Sequence, residues 1–580
     1  MTFNELLIEA EKKQPLLPDH HYKLAVLGNY ATPFISKAIS AAGILSGIDL
    51  SVYEADYDQI ENEIINPNSE LYSFDPDAIL ISYSGRKLRP KFYDLNDDQK
   101  QNYAQDFSNK LGELCEIVTS RLQSKIILCN IEELNDNVFG NFSSRSRLSF
   151  LNQIRRLNVG IMDLAEQKAN VFVLDVKDLV FQHGKEFSYT PSLYINADLV
   201  YSLDFSVVFA QQLVKVIQTL LGKFKKCLIL DLDNTLWGGI IGDDGIEGIE
   251  VGSLGIGKAF TEFQRWIKSL MKRGIILAVC SKNEESIAKE AFEKHPEMVL
   301  RLDDFAVFIA NWNNKADNIR EIQAILNIGF DSMVFFDDNP VERQIVRSTV
   351  PDVLVPELPE DPAEYLEYLM SLNIFETVSY SGNDAARTKQ YQQESKRRTL
   401  SNQFTDVKAF LDQLEMKSLV RSITSFDVQR VAQLSQRSNQ FNLRTIRYSV
   451  ADVEQIMVSK NHVHIVAYLA DSYGDYGLIS FAILEKQDDD SLFIDSWVMS
   501  CRVANRGLEK FLVNRMAEEA SKMGRTQLIG EYLPTKKNIP VKDHYQKMGF
   551  TESNGKWILN LRGFSPLDNS IKAESPDKGN

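Results

Sequence analysis

Residues 227–245 read CLILDLDNTLWGGIIGDDG, and this stretch decides how the rest of the chain is organised. A short apolar run, Cys227 to Leu230, stops at two carboxylates one residue apart, Asp231 and Asp233. Asn234 and Thr235 follow, then the tight Gly238–Gly239 turn. An apolar run of this length between polar flanks predicts a parallel strand covered on both faces. Charged side chains at its carboxyl end fall at the mouth of the sheet, where open α/β folds place their ligands. Two acids this close repel each other unless a cation or a phosphoryl group is bound between them.

Further elements follow in order. The strand IILAVCS ends at Ser281, and NWNNKADNIR puts Lys315 at the start of a helix spanning Lys315–Leu326. The strand Ser332–Phe336 ends in Asp337-Asp338. With the D-x-D-x-T pattern, this set resembles the haloacid dehalogenase (HAD) phosphohydrolases. The resemblance implies Asp231 as the nucleophile that forms an aspartyl phosphate, and Asp233 as the acid that protonates the leaving oxygen and then activates water. Ser281 would hydrogen-bond a phosphoryl oxygen, with Thr235 and Asn283 as further substrate contacts, and Lys315 would offset transition-state charge. Asp231, the Asp233 carbonyl, Asp337 and Asp338 would hold Mg²⁺, which oxygen-only ligands and a phosphate substrate favour. The inter-motif segments Leu236–Gly255 and Asn283–Asn314 are too short for a cap domain. At most they form a hairpin flap on glycines 238, 239, 242 and 245, so the site reads as open to a large substrate.

The chain has 580 residues, so about three domains is the natural expectation. No apolar run reaches membrane-spanning length, and the N-terminus lacks a secretory pattern. The five cysteines have no CxxC spacing, and the net charge is −16. These features point to a cytoplasmic protein with no disulfide framework, no zinc site, no membrane association and no nucleic-acid partner.

Residues 1–222 alternate apolar segments (Leu24–Leu27, Ala78–Ile81, Ile126–Leu128, Val171–Leu174) with helical stretches. This predicts a parallel sheet with helices on both faces, a three-layer α/β domain that resembles flavodoxin- or SGNH-like folds. Asn29-Tyr30 stands where a serine-esterase nucleophile would be expected, so the domain reads as a binding or docking unit. Residues 223–372 form the HAD Rossmann-like unit, with the amphipathic helix Ala259–Lys272 and the strand Ile275–Val279, closed by a proline-rich patch. Residues 373–415 read as a helical linker. Residues 416–563 form an α+β domain with strands at His464–Leu469, Leu478–Leu484, Leu492–Val498, Gln527–Tyr532 and Trp557–Leu561 and a helix at Gly507–Met523. The polar tail 564–580 is expected to be disordered.

DLDNTLWGGIIGDDG, VCSKN, NWNNKADNI and FFDDNP, followed by RSNQFNLRTIRYS (437–449), DSYGDYGLIS (471–480) and MSCRVANRGLE (499–509), resemble the FkbH-like subfamily of HAD proteins. The resemblance spans about residues 220–562 and extends to the preceding α/β domain. It implies a glyceryltransferase/phosphatase that takes a small phosphorylated substrate, 1,3-bisphosphoglycerate, removes phosphate and loads the glyceryl group onto the phosphopantetheine thiol of a holo acyl carrier protein, feeding polyketide or related biosynthesis. Cys280, next to Ser281, is a candidate to hold a transient glyceryl thioester. Strand alternation, however, should point it opposite to Ser281.

The C-terminal domain is similar to GNAT-type acyltransferases, in which a glycine-rich loop at a helix N-terminus binds the pyrophosphate of coenzyme A. Arg502, Asn505 and Gly507 occupy that loop here, with Asn505 where the first glycine would stand. Tyr545 matches the tyrosine that protonates the leaving thiolate. Carrier-borne phosphopantetheine and CoA both remain as ligands of this domain. Arg437, Arg444, Arg447, Lys536 and Lys537 are candidates to meet an acidic carrier. The alternative overall reading is a small-molecule or sugar-phosphate phosphatase fused to a CoA-dependent acyltransferase, for instance in polysaccharide assembly.

Overall fold

The computed structural model describes residues 1–13, 21–380, 390–393, 406–487, 490–500, 503–504, 506–535 and 537–574. The chain divides into two compact units, Met1–Gln218 and Thr219–Asn580. Among the described residues, no helix is long and apolar enough to cross a membrane.

The first unit is built on five parallel strands: β1 (His21–Gly28), β2 (Asp49–Glu54), β3 (Ala78–Ser82), β4 (Lys125–Cys129) and β5 (Val171–Leu174). Their order is β2-β1-β3-β4-β5, as in the doubly wound sheet expected from the alternation of apolar runs. The additional strand, β2, lies at the sheet edge and is mostly half-exposed, so its sequence, DLSVYE, carries no apolar run.

In the second unit, four parallel strands, β6 (Cys227–Leu230), β7 (Ile276–Ser281), β8 (Phe305–Ala310) and β9 (Met333–Phe336), form a sheet of order β8-β7-β6-β9. Strand β6 is covered on both faces. Leu228 and Leu230 pack with Phe260, Phe263 and Ile267 of the helix Gly255–Lys272. Cys227 and Ile229 pack on the other side with Ala316, Ile319 and Ile322 of the helix Lys315–Leu326. The segment 283–314 is spent on the helix Glu285–Lys294 and on β8, both part of the core layers, so it holds no cap. The loop after β6 is closed by reciprocal backbone hydrogen bonds between Gly238 and Glu250 (3.0 and 2.8 Å). Between them runs a short helix, Ile241–Gly248, kinked at Gly245, in place of hairpin strands.

About half of the expected linker, 381–389 and 394–405, lies outside the described residues. Of the rest, Tyr391 is buried in the β6–β9 core, Gln392 donates to the carbonyls of Asp303 and Phe305 (both 2.9 Å), and Val407–Gln413 is helical.

The remaining strands are β10 (Lys417–Arg421), β11 (His462–Asp471), β12 (Gly474–Lys486), β13 (Ser491–Met499), β14 (Gln527–Gly530), β15 (Thr551–Ser553), β16 (Lys556–Asn560) and β17 (Lys572–Glu574). They form one sheet of order β15-β16-β14-β13-β12-β11-β10-β17. It is antiparallel except for the pairs β13/β14 and β10/β17. The helix Leu508–Lys522 makes the crossover from β13 to β14. The tail differs from expectation. Leu567 packs on the core of this domain, and β17 pairs with β10, so structure extends to Glu574; residues 575–580 lie outside the described residues. Pairing with an existing sheet edge supplies hydrogen bonds that a polar sequence does not advertise.

Candidate active site

Parallel register brings the acids together. Leu230 of β6 pairs with Phe336 of β9, so the next residue on each strand, Asp231 and Asp337, lie side by side, and the Asp231 N–H donates to the Phe336 carbonyl at 3.0 Å. Lys315, the first residue of its helix, reaches both: its Nζ lies 2.9 Å from Asp231 Oδ2 and 2.6 Å from Asp337 Oδ2. All three side chains are buried. Carboxylate oxygens of Asp231, Asp337 and Asp338 lie within 4.8 Å of one another.

One ammonium does not balance three carboxylates. Burial, followed by the charge of Asp231, pushes the Asp337 carboxyl up to about 7 and that of Asp338 up to about 6. The two carboxylates in turn hold the Lys315 ammonium above its ordinary range against the cost of its burial. Asp231 Oδ1 is buried and accepts no hydrogen bond among the described residues. A buried, unsatisfied oxygen within a surplus of carboxylates fits a divalent cation, since a hard cation takes oxygen ligands and cancels the repulsion.

Asp233 is not one of the three clustered acids. After β6 the chain makes a tight turn, with Leu236 N–H donating to Leu232 O at 2.7 Å and Asn234 in the left-handed region (φ 53°). The turn directs the Asp233 carboxylate to three donors: Trp237 Nε1 at 2.9 Å and the Ile241 N–H at 3.0 Å on Oδ1, and Asn283 Nδ2 at 2.9 Å on Oδ2. Asn283 Nδ2 also donates to Ser281 Oγ at 3.1 Å. Asn283 therefore ties the acid/base candidate to the phosphoryl-binding candidate. Thr235, expected at the substrate, is fully buried, and its Oγ1 accepts the Asp338 N–H at 3.1 Å, joining the loops after β6 and β9.

Cys280 is not brought to the mouth. It faces the opposite layer, fully buried against Ala316 and Ile309, with Sγ 3.6 Å from the Lys315 carbonyl, and burial pushes its thiol well above the ordinary range. Period-two alternation along β7 is the reason: Ser281 points one way and Cys280 the other.

Two further residues shape the site. Arg343 donates from Nη1 to the carbonyls of Asp337 (2.8 Å) and Asp338 (2.6 Å), while its Nε and Nη2 are held by Glu357. Tyr365 donates to the Asn234 carbonyl at 3.3 Å. A single arginine inside the helix Pro340–Thr349 has no spacing that marks it in advance. Trp237, in contrast, stands within the motif itself.

In the C-terminal domain, Gly507 (φ 82°) precedes the helix Leu508–Lys522, and Tyr545 is buried, its phenol held above its usual range by burial. Arg502, Asn505 and Lys536 lie outside the described residues. The other basic residues expected at a carrier surface are engaged internally. Arg444 pairs with Glu531 (2.8 Å) and Asp495 (2.5 Å), and Arg447 donates to the carbonyls of Ser435 and Ser438. Arg437 donates to Ser379 O at 3.0 Å, and Lys537 pairs with Asp331. Arg437 and Lys537 thus reach groups outside the C-terminal domain, whereas Arg444 and Arg447 are bonded within it.

Residues 23–218 match the family model described as FkbH, N-terminal domain. Among solved structures, the N-terminal part of the protein BF1531 from Bacteroides fragilis, described as containing a phosphatase domain complexed with Mg, is 47% identical. The match covers 65% of this chain and 100% of that chain with a TM-score of 0.63. Two acetyltransferases also match. Ribosomal-protein-S18-alanine N-acetyltransferase from Escherichia coli is 14% identical over 28% of this chain and 99% of that chain, with a TM-score of 0.20. Spermidine N-acetyltransferase from Vibrio cholerae, in complex with CoA and spermine, is 14% identical over 25% of this chain and 96% of that chain, with a TM-score of 0.21. At such scores these two add nothing to the strand order described above. No curated protein matches the chain.

Proposed function

The chain belongs to the same family as BF1531 of Bacteroides fragilis, and on that premise we propose that it is a Mg²⁺-dependent HAD-type phosphatase that also loads a glyceryl group onto a carrier protein. The observation that carries the phosphatase half is the free, buried Asp231 Oδ1 beside Lys315 and the Asp337–Asp338 pair. Asp231 attacks phosphorus, and the bond to the departing oxygen breaks as that oxygen takes a proton from Asp233. Water then gives a proton back to Asp233 and attacks the aspartyl phosphate, freeing inorganic phosphate and Asp231. Mg²⁺ held by Asp231, Asp337 and Asp338 would supply positive charge to the phosphoryl oxygens. Lys315 holds Asp231 in place and faces the charge that builds up in transfer.

The substrate class follows from the resemblance to FkbH-like proteins and from the uncapped mouth. In 1,3-bisphosphoglycerate the acyl phosphate is activated toward thiols, so a carrier's phosphopantetheine thiolate displaces phosphate at the acyl carbon. The phosphate ester is not activated in that way, and its hydrolysis is the task of Asp231. Cys280 faces away from the mouth, so the acceptor thiol in this reading is the carrier's own. Incubation with 1,3-bisphosphoglycerate, Mg²⁺ and a holo acyl carrier protein tests it by the mass of the carrier. A glyceryl increment is expected. Phosphate release from other esters with no change in carrier mass would leave the phosphatase and remove the transfer.

A further inference from the structure

The fold of the C-terminal domain implies a site for coenzyme A, and the residues present do not fit it. Strands β13 and β14 pair in parallel over three positions only, Ser491–Phe493 against Gln527–Ile529. Beyond these, β13 runs on to Met499 while β14 stops at Gly530. A sheet that splays in this way exposes two lips of unpaired backbone groups, the natural seat for an extended, amide-bearing ligand such as the pantetheine arm.

Here the seat is taken by the chain itself. Asn442 forms an antiparallel bridge with Val498, and the Phe441 carbonyl accepts the Met499 N–H at 3.1 Å, which closes the β13 lip. On the opposite lip the Leu443 carbonyl accepts the Leu533 N–H at 2.9 Å, and Asn538 Nδ2 donates to the Asn442 carbonyl at 3.0 Å. Phe441 fills the space beneath, its ring 5.6 Å from Trp497 and 4.8 Å from His544. Asn442 is fully buried and braces the segment, accepting the Thr445 N–H at 2.8 Å.

Beside the second half of a CoA site, the helix N-terminus after Gly507, lies a different segment. Leu567 and Asn514 exchange hydrogen bonds (2.9 and 2.8 Å), which lays the tail along the helix Leu508–Lys522. A Cβ placed on Gly507 would lie 3.7 Å from the Asn569 side chain. Arg506, beside that turn, is buried and turned inward to Tyr476 and Asp471.

We propose that the C-terminal domain is a self-occupied acyltransferase fold: residues 441–443 stand permanently where a pantetheine arm would lie, with the tail alongside the helix that follows. The domain therefore binds neither CoA nor acetyl-CoA. It serves as a structural partner of the phosphatase unit. The same segment supports that role, since Asn439 donates to the Gly222 carbonyl at 3.0 Å and the Arg437 carbonyl accepts Lys226 Nζ at 2.7 Å, just ahead of β6.

The full chain is titrated calorimetrically with CoA and with acetyl-CoA, and amide exchange at Met499 and Leu533 is followed with and without each ligand. No saturable binding up to about 1 mM is expected, with both amides equally protected throughout. In Asn442→Ala both amides should exchange about tenfold faster, together, because the Asn442 side chain braces the turn to Thr445 that follows the two carbonyls they bond, while phosphatase turnover stays unchanged. Saturable binding, or loss of protection on adding either ligand, would overturn the proposal by showing a displaceable gate. Unchanged exchange in Asn442→Ala would overturn the role of the segment as a clamp.

Discussion

Both the mouth of the β6–β9 sheet and the splay between β13 and β14 are places where strands stop pairing and leave polar groups behind. At the mouth the leftovers are acids: Asp231 Oδ1 has no partner, and Asp337 and Asp338 crowd it. In the splay the leftovers are the buried Trp497 Nε1 and His544 Nε2, lying under a lid of the chain's own backbone. Acids gathered around one free oxygen cost stability until a cation arrives, so they are arranged for a ligand. Backbone lips already bonded on both sides leave no such surplus of charge, only the neutral Trp497 Nε1, His544 Nε2 and Tyr545 hydroxyl without partners among the described residues. Two openings of similar origin thus point to one working site and one closed one.

The largest test of that contrast is Asp231→Asn, which keeps the volume and removes the proposed nucleophile. Phosphate release should fall at least about a thousandfold with the thermal midpoint preserved or raised. Lys315→Met should lower kcat by about a hundredfold, as expected for losing one group that faces transition-state charge. A smaller effect comes from pH. The folded, metal-free protein holds the Asp337 and Asp338 carboxyls above their ordinary range, so it binds more protons there than the unfolded chain. That stabilising contribution is present at low pH and is lost as pH rises through about 6 to 7. The rise in thermal midpoint on adding Mg²⁺ should therefore be greater at pH 8 than at pH 5.5, by scanning fluorimetry. An equal rise at both values would mean that the cation is held elsewhere. The smallest effect is expected in the splay: Tyr545→Phe should leave phosphate release and carrier loading unchanged, within about twofold. A hundredfold loss there would give the closed site a catalytic part.

Local motifs made the working site readable from sequence. The Cys227–Leu230 run, its two terminal acids, Ser281, Lys315 and Asp337-Asp338 each sit at the end of a strand or the start of a helix whose periodicity is written in its own residues. Thr235 was legible as part of the motif but not in its role, because its link to Asp338 crosses between two loops. Arg343 and the pairing of β17 with β10 depend on partners distant in sequence and leave no local pattern. RSNQFNLRTIRYS stood out as a signature, yet its function as a filler between two strands depends on where β13 and β14 part. The basic residues show a related limit: charge is visible in a sequence, whereas Glu531, Asp495 and Asp331 opposite it are not.

The register between β6 and β9 has a consequence for how this chemistry can be lost in descent. Because Asp231 and Asp337 follow directly on a paired position, deleting one residue from either strand would swing an acid away from Lys315 into the apolar layer of Phe260 and Phe263 and damage the fold along with the site. Inactive descendants of this scaffold should therefore arise by replacement at 231 or 337 with strand length intact. In a genome they would be recognised by a single changed letter in an otherwise faithful motif.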